Sequence, residues 1–206
     1  MTNVAVIYYS STGNVYEMAK AAAASAEKAG ADEVRLLKVA ELAPASVVAT
    51  NEPWAAHAAA TQDIPEATLA DLEWADVLLF GTPTRYGLPA AQLKQFIDTT
   101  GGLWFQGKLI NKVVSSFVST STTHGGQEST VLALNNTFYH WGAIIVPPGF
   151  ADPVQFAEAN GNPYGASSVS GNNPSNVAED NLASVEFQAR RAVEIGSALK
   201  RGFEAA

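Results

Sequence analysis

The chain has 206 residues, 47% of them hydrophobic and 16% charged, a length and balance that suit a globular protein with a well-buried core. The net charge of −8 argues against a nucleic-acid-binding face, and the absence of cysteine rules out disulfides, thiolate metal sites and cysteine nucleophiles. The first residues run straight into a strand pattern with no signal-peptide features, and no apolar run reaches the length of a membrane span, so a cytoplasmic protein is expected.

Val4-Ala5-Val6-Ile7-Tyr8 is short, apolar and rich in β-branched and aromatic residues, which predicts a buried strand. It leads through Tyr9-Ser10-Ser11-Thr12-Gly13-Asn14-Val15 into a helical pattern over 15–29, with Gly30 as its stop. Hydroxyls beside the free N–H groups of a helix start make a pocket for a phosphate. The competing reading is a plain N-cap. A nucleotide P-loop is excluded, because Asn14 follows Gly13 where Lys-Ser/Thr is needed. No G-x-G-x-x-G fingerprint follows the strand, and the loop holds no Lys or Arg. Such a pocket suits the single terminal phosphate of a buried cofactor.

Residues 33–39 read as a second strand and 41–68 as a long Ala-rich connection with one short helix; His57 within it has no evident role. A short helix over 69–74 precedes a continuous apolar strand over 76–81, of the kind buried on both faces of a parallel sheet. Asp71, Glu73 and Asp76 read as a solvated helix end. Gly81-Thr82-Pro83-Thr84-Arg85-Tyr86-Gly87 is a loop with a cation and an aromatic ring, and Pro89 suits the first turn of a helix through Thr99. Gly101-Gly102-Leu103-Trp104 ends that helix. A fourth strand over 112–118 runs into Ser119-Thr120-Ser121-Thr122-Thr123-His124-Gly125-Gly126, and a helix follows over about 127–140. The fifth strand covers 143–146, a loop covers 147–180, and a last amphipathic helix covers 181–203.

Alternating strands and helices predict an α/β fold with a five-stranded parallel sheet in the order 2-1-3-4-5, helices on both faces, and a single domain over 1–206. In such a sheet the polar loops after strands 1, 3 and 4 converge on one ligand at the switch point. The histidines have no metal-ligand spacing, so no metal is expected.

Ser10-x-Thr12-Gly13-Asn14 resembles the phosphate loop of flavodoxin-like proteins. Gly81 to Gly87, Asp98-x-Thr100-Gly101-Gly102-Leu103-Trp104, Gly125-Gly126-Gln127-Glu128 and Asn162-Pro163-Tyr164-Gly165-Ala166 resemble the WrbA family more narrowly, in family order across nearly the whole chain. The resemblance implies a flavodoxin-like fold, one FMN per subunit, a homotetramer, and two-electron reduction of quinones by NADH or NADPH. It places the FMN phosphate on Ser10, Ser11, Thr12, Gly13, Asn14 and Val15. Pro83, Thr84, Arg85 and Tyr86 would lie along the isoalloxazine ring, and Ser119, Thr120, Ser121, Thr122, Thr123 and His124 along the ribityl chain and pyrimidine edge. Trp104 and His140 would line the pocket for quinone and nicotinamide, partly across a subunit boundary, with His140 also near the cofactor. Thr12 stands where the family often has a tyrosine that touches the nicotinamide nucleotide; it keeps the hydroxyl and loses the ring.

The flavin would carry the chemistry, so no acid, base or nucleophile of the protein is expected, and two flat substrates using one stacking site predict ping-pong kinetics. Arg85 would stabilise the anionic reduced flavin. Trp104 is either covered by a ligand or neighbouring subunit or buried in its own chain. His140 either meets the reduced quinone's oxygen or complements a helix end. The alternative function is a flavodoxin-type electron carrier with FMN and no nicotinamide site. A cofactor-free scaffold is a further rival.

Overall fold

The computed structural model describes residues 2–205. Its sheet has the parallel order β2-β1-β3-β5-β6, with β1 at Asn3–Tyr8, β2 at Glu33–Lys38, β3 at Val77–Arg85, β5 at Val113–Thr120 and β6 at Ile144–Ile145. These are the five strands and the order that the sequence predicts. Two short strands lie off this path: β4 (Leu88–Pro89) turns back on β3, and β7 (Ser167–Val169) runs parallel to β5.

Period-two alternation in the strands divides the core between the two faces. Ala5, Ile7 and Tyr9 face one side with Leu78, Phe80 and Val114. There they meet α4 (Leu69–Trp74), α5 (Ala91–Asp98) and α7 (Gln127–Trp141) through Leu72, Leu93, Phe138 and Trp141. Val4, Val6 and Tyr8 face the other side with Val77, Leu79 and Phe117. They pack on α1 (Asn14–Lys28) and α8 (Glu179–Glu204). Small residues let these two helices come close: Ala19, Ala22 and Ala26 share this core with Ala189 and Ala192, and the Ser25 hydroxyl donates to the Glu186 carbonyl at 2.7 Å.

Several expectations need correction. Pro89 is not in a helix. Tyr86 and Gly87 both have positive φ, 54° and 76°, the pattern of a two-residue hairpin turn, so β3 extends through Arg85 and folds back as β4. The helix starts only at Ala91, after the Ala90 N–H has donated to Thr82 Oγ1 at 3.0 Å. The diglycine does not end in a loop: Gly101–Phe105 forms a short helix, α6. The 41–68 connection carries two helices, α2 (Ala45–Val48) and α3 (Glu52–Ala60), the second started by the Asn51 cap with Pro53 in its first turn. The fifth strand breaks after Val146, because Pro147 and Pro148 have no N–H to pair; the same edge is resumed by β7 at the far end of β5. The 147–180 segment therefore holds β7 and a 3₁₀ turn at Pro153–Phe156. The acidic group is not a solvated helix end. Asp71 is buried, accepts from the Thr68 N–H and hydroxyl, and pairs with Arg35 at 2.9 Å. Asp76 accepts from the Asn3 N–H and pairs with Lys200 at 2.7 Å; Glu73 alone is exposed, paired with Lys108.

Candidate cofactor site

The site lies at the carboxyl ends of β1, β3 and β5, where β1 has a strand on either side. The Tyr9 N–H is tied to the Gly81 carbonyl at 3.0 Å, so the chain leaves the sheet only at Ser10. Gly13 turns it into α1 with φ 100°, a conformation that costs other residues a Cβ clash. A Cβ there would also collide with the Ser175 hydroxyl. The Gly13 N–H donates to Ser10 Oγ at 3.1 Å. Among the described residues the N–H groups of Ser11, Thr12, Asn14 and Val15 donate to no group of the chain. That is an anion cradle of amides and hydroxyls.

The neighbouring loops are held by pairing. Pro83 sits opposite Ser119 in the β3–β5 register, which brings the two polar loops side by side. Thr84 and Thr130 share a hydroxyl hydrogen bond of 2.6 Å, and the Ser129 hydroxyl donates to the Gly87 carbonyl, so the hairpin rides on the start of α7. The Ser168 hydroxyl donates to buried Ser119 Oγ at 2.9 Å. The Arg85 guanidinium donates to Ser11 Oγ at 3.3 Å and to its own neighbour's carbonyl at Thr84.

Together these loops enclose a cleft of about 290 Å³. Of the predicted residues, Ser10, Ser11, Thr12, Asn14, Val15, Pro83, Thr84, Arg85, Ser119, Thr120 and Ser121 line it. Gly13 shapes the turn beneath it. Thr122, Thr123 and His124 are exposed and stand outside it, as does Tyr86, fully exposed at the hairpin tip. Trp104 and His140 are brought to each other instead: the Trp104 indole N–H donates to the His140 carbonyl at 2.8 Å, beside a shallow depression with Lys94 and Trp141. Trp104 is half exposed, so burial within its own subunit is not its role.

The cleft also contains Asn51, Ser170, Asn172 and Asn173, which the sequence reading did not single out. Asn51 arrives as the cap of α3, legible only as an Asn-Glu-Pro helix start. The 170–176 segment is strapped over the phosphate loop. The Asn14 amide donates to the Asn173 carbonyl at 3.0 Å and accepts from the Asn176 N–H at 2.7 Å, while the Ser175 N–H donates to the Thr12 carbonyl.

Among the described residues the lining carries one cation, Arg85, and no carboxylate, although the chain is strongly acidic. A cradle of free amides and hydroxyls with carboxylates kept away is the donor set that a phosphate monoester needs, so these residues fit FMN.

A parallel sheet in this order with a phosphate cradle after its first strand defines a flavodoxin-like α/β protein. The solved structures agree at the level of the fold. The flavodoxin, WrbA-like protein from Agrobacterium tumefaciens superposes with a TM-score of 0.66 at 21% identity, covering 96% of this chain and 99% of that one. Flavodoxin 2 from Bacillus cereus gives 0.62 at 15% identity, covering 94% and 99%. The family model for NADPH-dependent FMN reductase matches residues 2–157, and the chain belongs to that family. A Deinococcus radiodurans protein named NAD(P)H dehydrogenase (quinone) is 48% identical over 95% of this chain and 96% of its own length. A Brucella anthropi protein of the same name is 42% identical over 97% and 99%.

Proposed function

We infer that this protein is an FMN-dependent NAD(P)H:quinone oxidoreductase that reduces quinones to hydroquinones by two electrons. The observation that carries the reading is 48% identity over 95% of the chain to a protein of that named activity, and the cleft supplies the matching donor set. FMN held by the phosphate loop and the ends of β3 and β5 would supply the hydride-transfer chemistry between reduced nicotinamide and quinone.

This chain's residues bind and orient. The amides of Ser11, Thr12, Asn14 and Val15 and the hydroxyls of Ser10, Ser11 and Thr12 hold the phosphate. Ser119, Thr120 and Ser121, on the neighbouring strand end, hold the ribityl chain. Arg85 places a positive charge at the cleft mouth, where it favours the anionic reduced ring. Both substrates are planar and use the same open face in turn, which gives ping-pong kinetics.

The second wall of that face comes from another subunit. Tyr86, Trp104, Phe105, Tyr139, Phe150 and Phe156 are all more than half exposed, and so many uncovered rings support assembly, here as a homotetramer. In that assembly Trp104 and His140 border a neighbour's flavin face. The chain acts as one folding unit in the cytoplasm, where reduced nicotinamide is available. The test is steady-state oxidation of NADH and of NADPH with benzoquinone. Parallel double-reciprocal lines are expected, and lines that intersect contradict the ping-pong assignment.

A further inference from the structure

The phosphate loop is built from neutral amide and hydroxyl donors. A titratable imidazole stands behind this loop. His57, on α3, is half-buried, and a Cβ placed on Gly13 would lie 3.7 Å from its Nδ1. Its ring packs on Tyr16 of α1 with centroids 5.5 Å apart, and Tyr16 packs in turn on Tyr8 at 5.6 Å. Among the described residues the imidazole nitrogens make no hydrogen bond, although the His57 carbonyl is fixed by the Thr61 N–H and hydroxyl. The ring also lines a small cavity of about 110 Å³ behind the loop, shared with Ser10 and Tyr8. The Tyr8 hydroxyl there is buried and has no hydrogen-bond partner among the described residues.

We propose that His57 is the titrating counter-ion of the phosphate loop: as the imidazolium it adds a positive charge beside Gly13, so that selection of a phosphorylated flavin over an unphosphorylated one is coupled to proton uptake. This deepens the FMN reading and rests on it. The surroundings set the sense of the coupling. Burial holds the free imidazole below its ordinary range; Glu17 on α1 pulls it back up, and Lys38 on β2 lowers it further. Glu41 and Glu66 border the same cavity, and Lys20 lies over Tyr16 and pairs with Glu17. A phosphate arriving on the other side of Gly13 raises the proton affinity of the ring. Binding therefore takes up a proton between the free and the bound values, and affinity for the phosphorylated flavin rises as pH falls through that window.

The experiment titrates apoprotein with FMN and separately with riboflavin, by flavin fluorescence, from about pH 5.5 to about pH 8.5. The ionisation of the FMN phosphate, with a pKa of about 6, moves wild type and variants alike, so the quantity read is the FMN-to-riboflavin affinity ratio of wild type over variant. For His57→Gln that quotient is expected to grow by about fivefold from the alkaline to the acid end, with riboflavin affinity unchanged. His57→Lys, charged throughout, is expected to hold a high ratio across the range. Identical pH profiles for wild type and His57→Gln overturn the proposal. So does an equal loss of FMN and riboflavin, which marks a structural role. If wild type itself does not prefer FMN to riboflavin, the phosphate reading of the cleft falls first and the proposal with it.

Discussion

Asn14 serves twice: its side-chain amide seats the 170–176 strap, and its backbone N–H is one of the free donors at the first position of α1. Asn14→Ala removes two hydrogen bonds worth about 1 kcal/mol each. The expected result, read by fluorescence titration, is FMN affinity weaker by about tenfold or more. Arg85 is argued to favour the reduced, anionic ring. Arg85→Met is therefore expected to move the two-electron midpoint potential negative by about 20–30 mV, the equivalent of roughly 1 kcal/mol. Spectroelectrochemistry checks this, and an unchanged potential removes Arg85 from the redox role. At this scale the sequence was legible where the site is local. Ser10 to Val15 form a contiguous run between a strand and a helix, and the pattern carries its own chemistry. Asn51 and Asn172 reach the cleft only through long connections, so spacing along the chain held no sign of them. Tyr86 lies outside the cleft of the single chain. Its positive φ and the glycine after it make it the tip of a hairpin.

Single polar side chains hold some elements together. Gln188 of α8 is buried; its amide donates to Ser115 Oγ at 2.5 Å and the Ser116 carbonyl at 2.8 Å, and its oxygen accepts from the Ala166 N–H at 2.6 Å. It thus joins helix, central strand and the approach to β7. Gln188→Leu strands these partners and is expected to cost about 3 kcal/mol, lowering Tm by about 6–12 °C. Glu41 clips the 39–54 connection to the site, accepting from Tyr9 Oη at 2.7 Å, Gln92 at 2.7 Å and Trp54 at 3.1 Å. Burial pushes its carboxyl up, but the donors from Ala43, Gln92, Tyr9 and Trp54 together hold it below its ordinary value. A depressed carboxyl contributes stability above its unfolded pKa and loses it as pH falls through the folded one. Wild type is accordingly expected to lose Tm more steeply than Glu41→Gln below the ordinary carboxylate range, and parallel Tm–pH curves contradict this. The apolar strands were legible because β-branched runs buried on two faces are distinctive. The polar Ser167–Val169 strand was not, since its place depends on Pro147 and Pro148 breaking the edge before it.

The order of the sheet followed from alternating patterns and the rule that polar loops gather at a switch point. The partition of Trp104 and His140 away from the cleft did not, because it follows from how α6 and α7 pack on each other, which spacing along the chain does not show. Assembly is accordingly a prediction at this scale: light scattering at micromolar concentration is expected to give four times the chain mass, and a monomer overturns the shared-site arrangement. The central claim is the flow of electrons from nicotinamide through the flavin to quinone. It is met most directly by anaerobic titration of the FMN-loaded protein with NADH and with NADPH, followed by benzoquinone, watching the flavin absorbance. The account predicts that a reduced nicotinamide bleaches the flavin and that quinone restores it. If dithionite bleaches the flavin while neither nicotinamide does, the protein is an electron carrier and the oxidoreductase account is wrong.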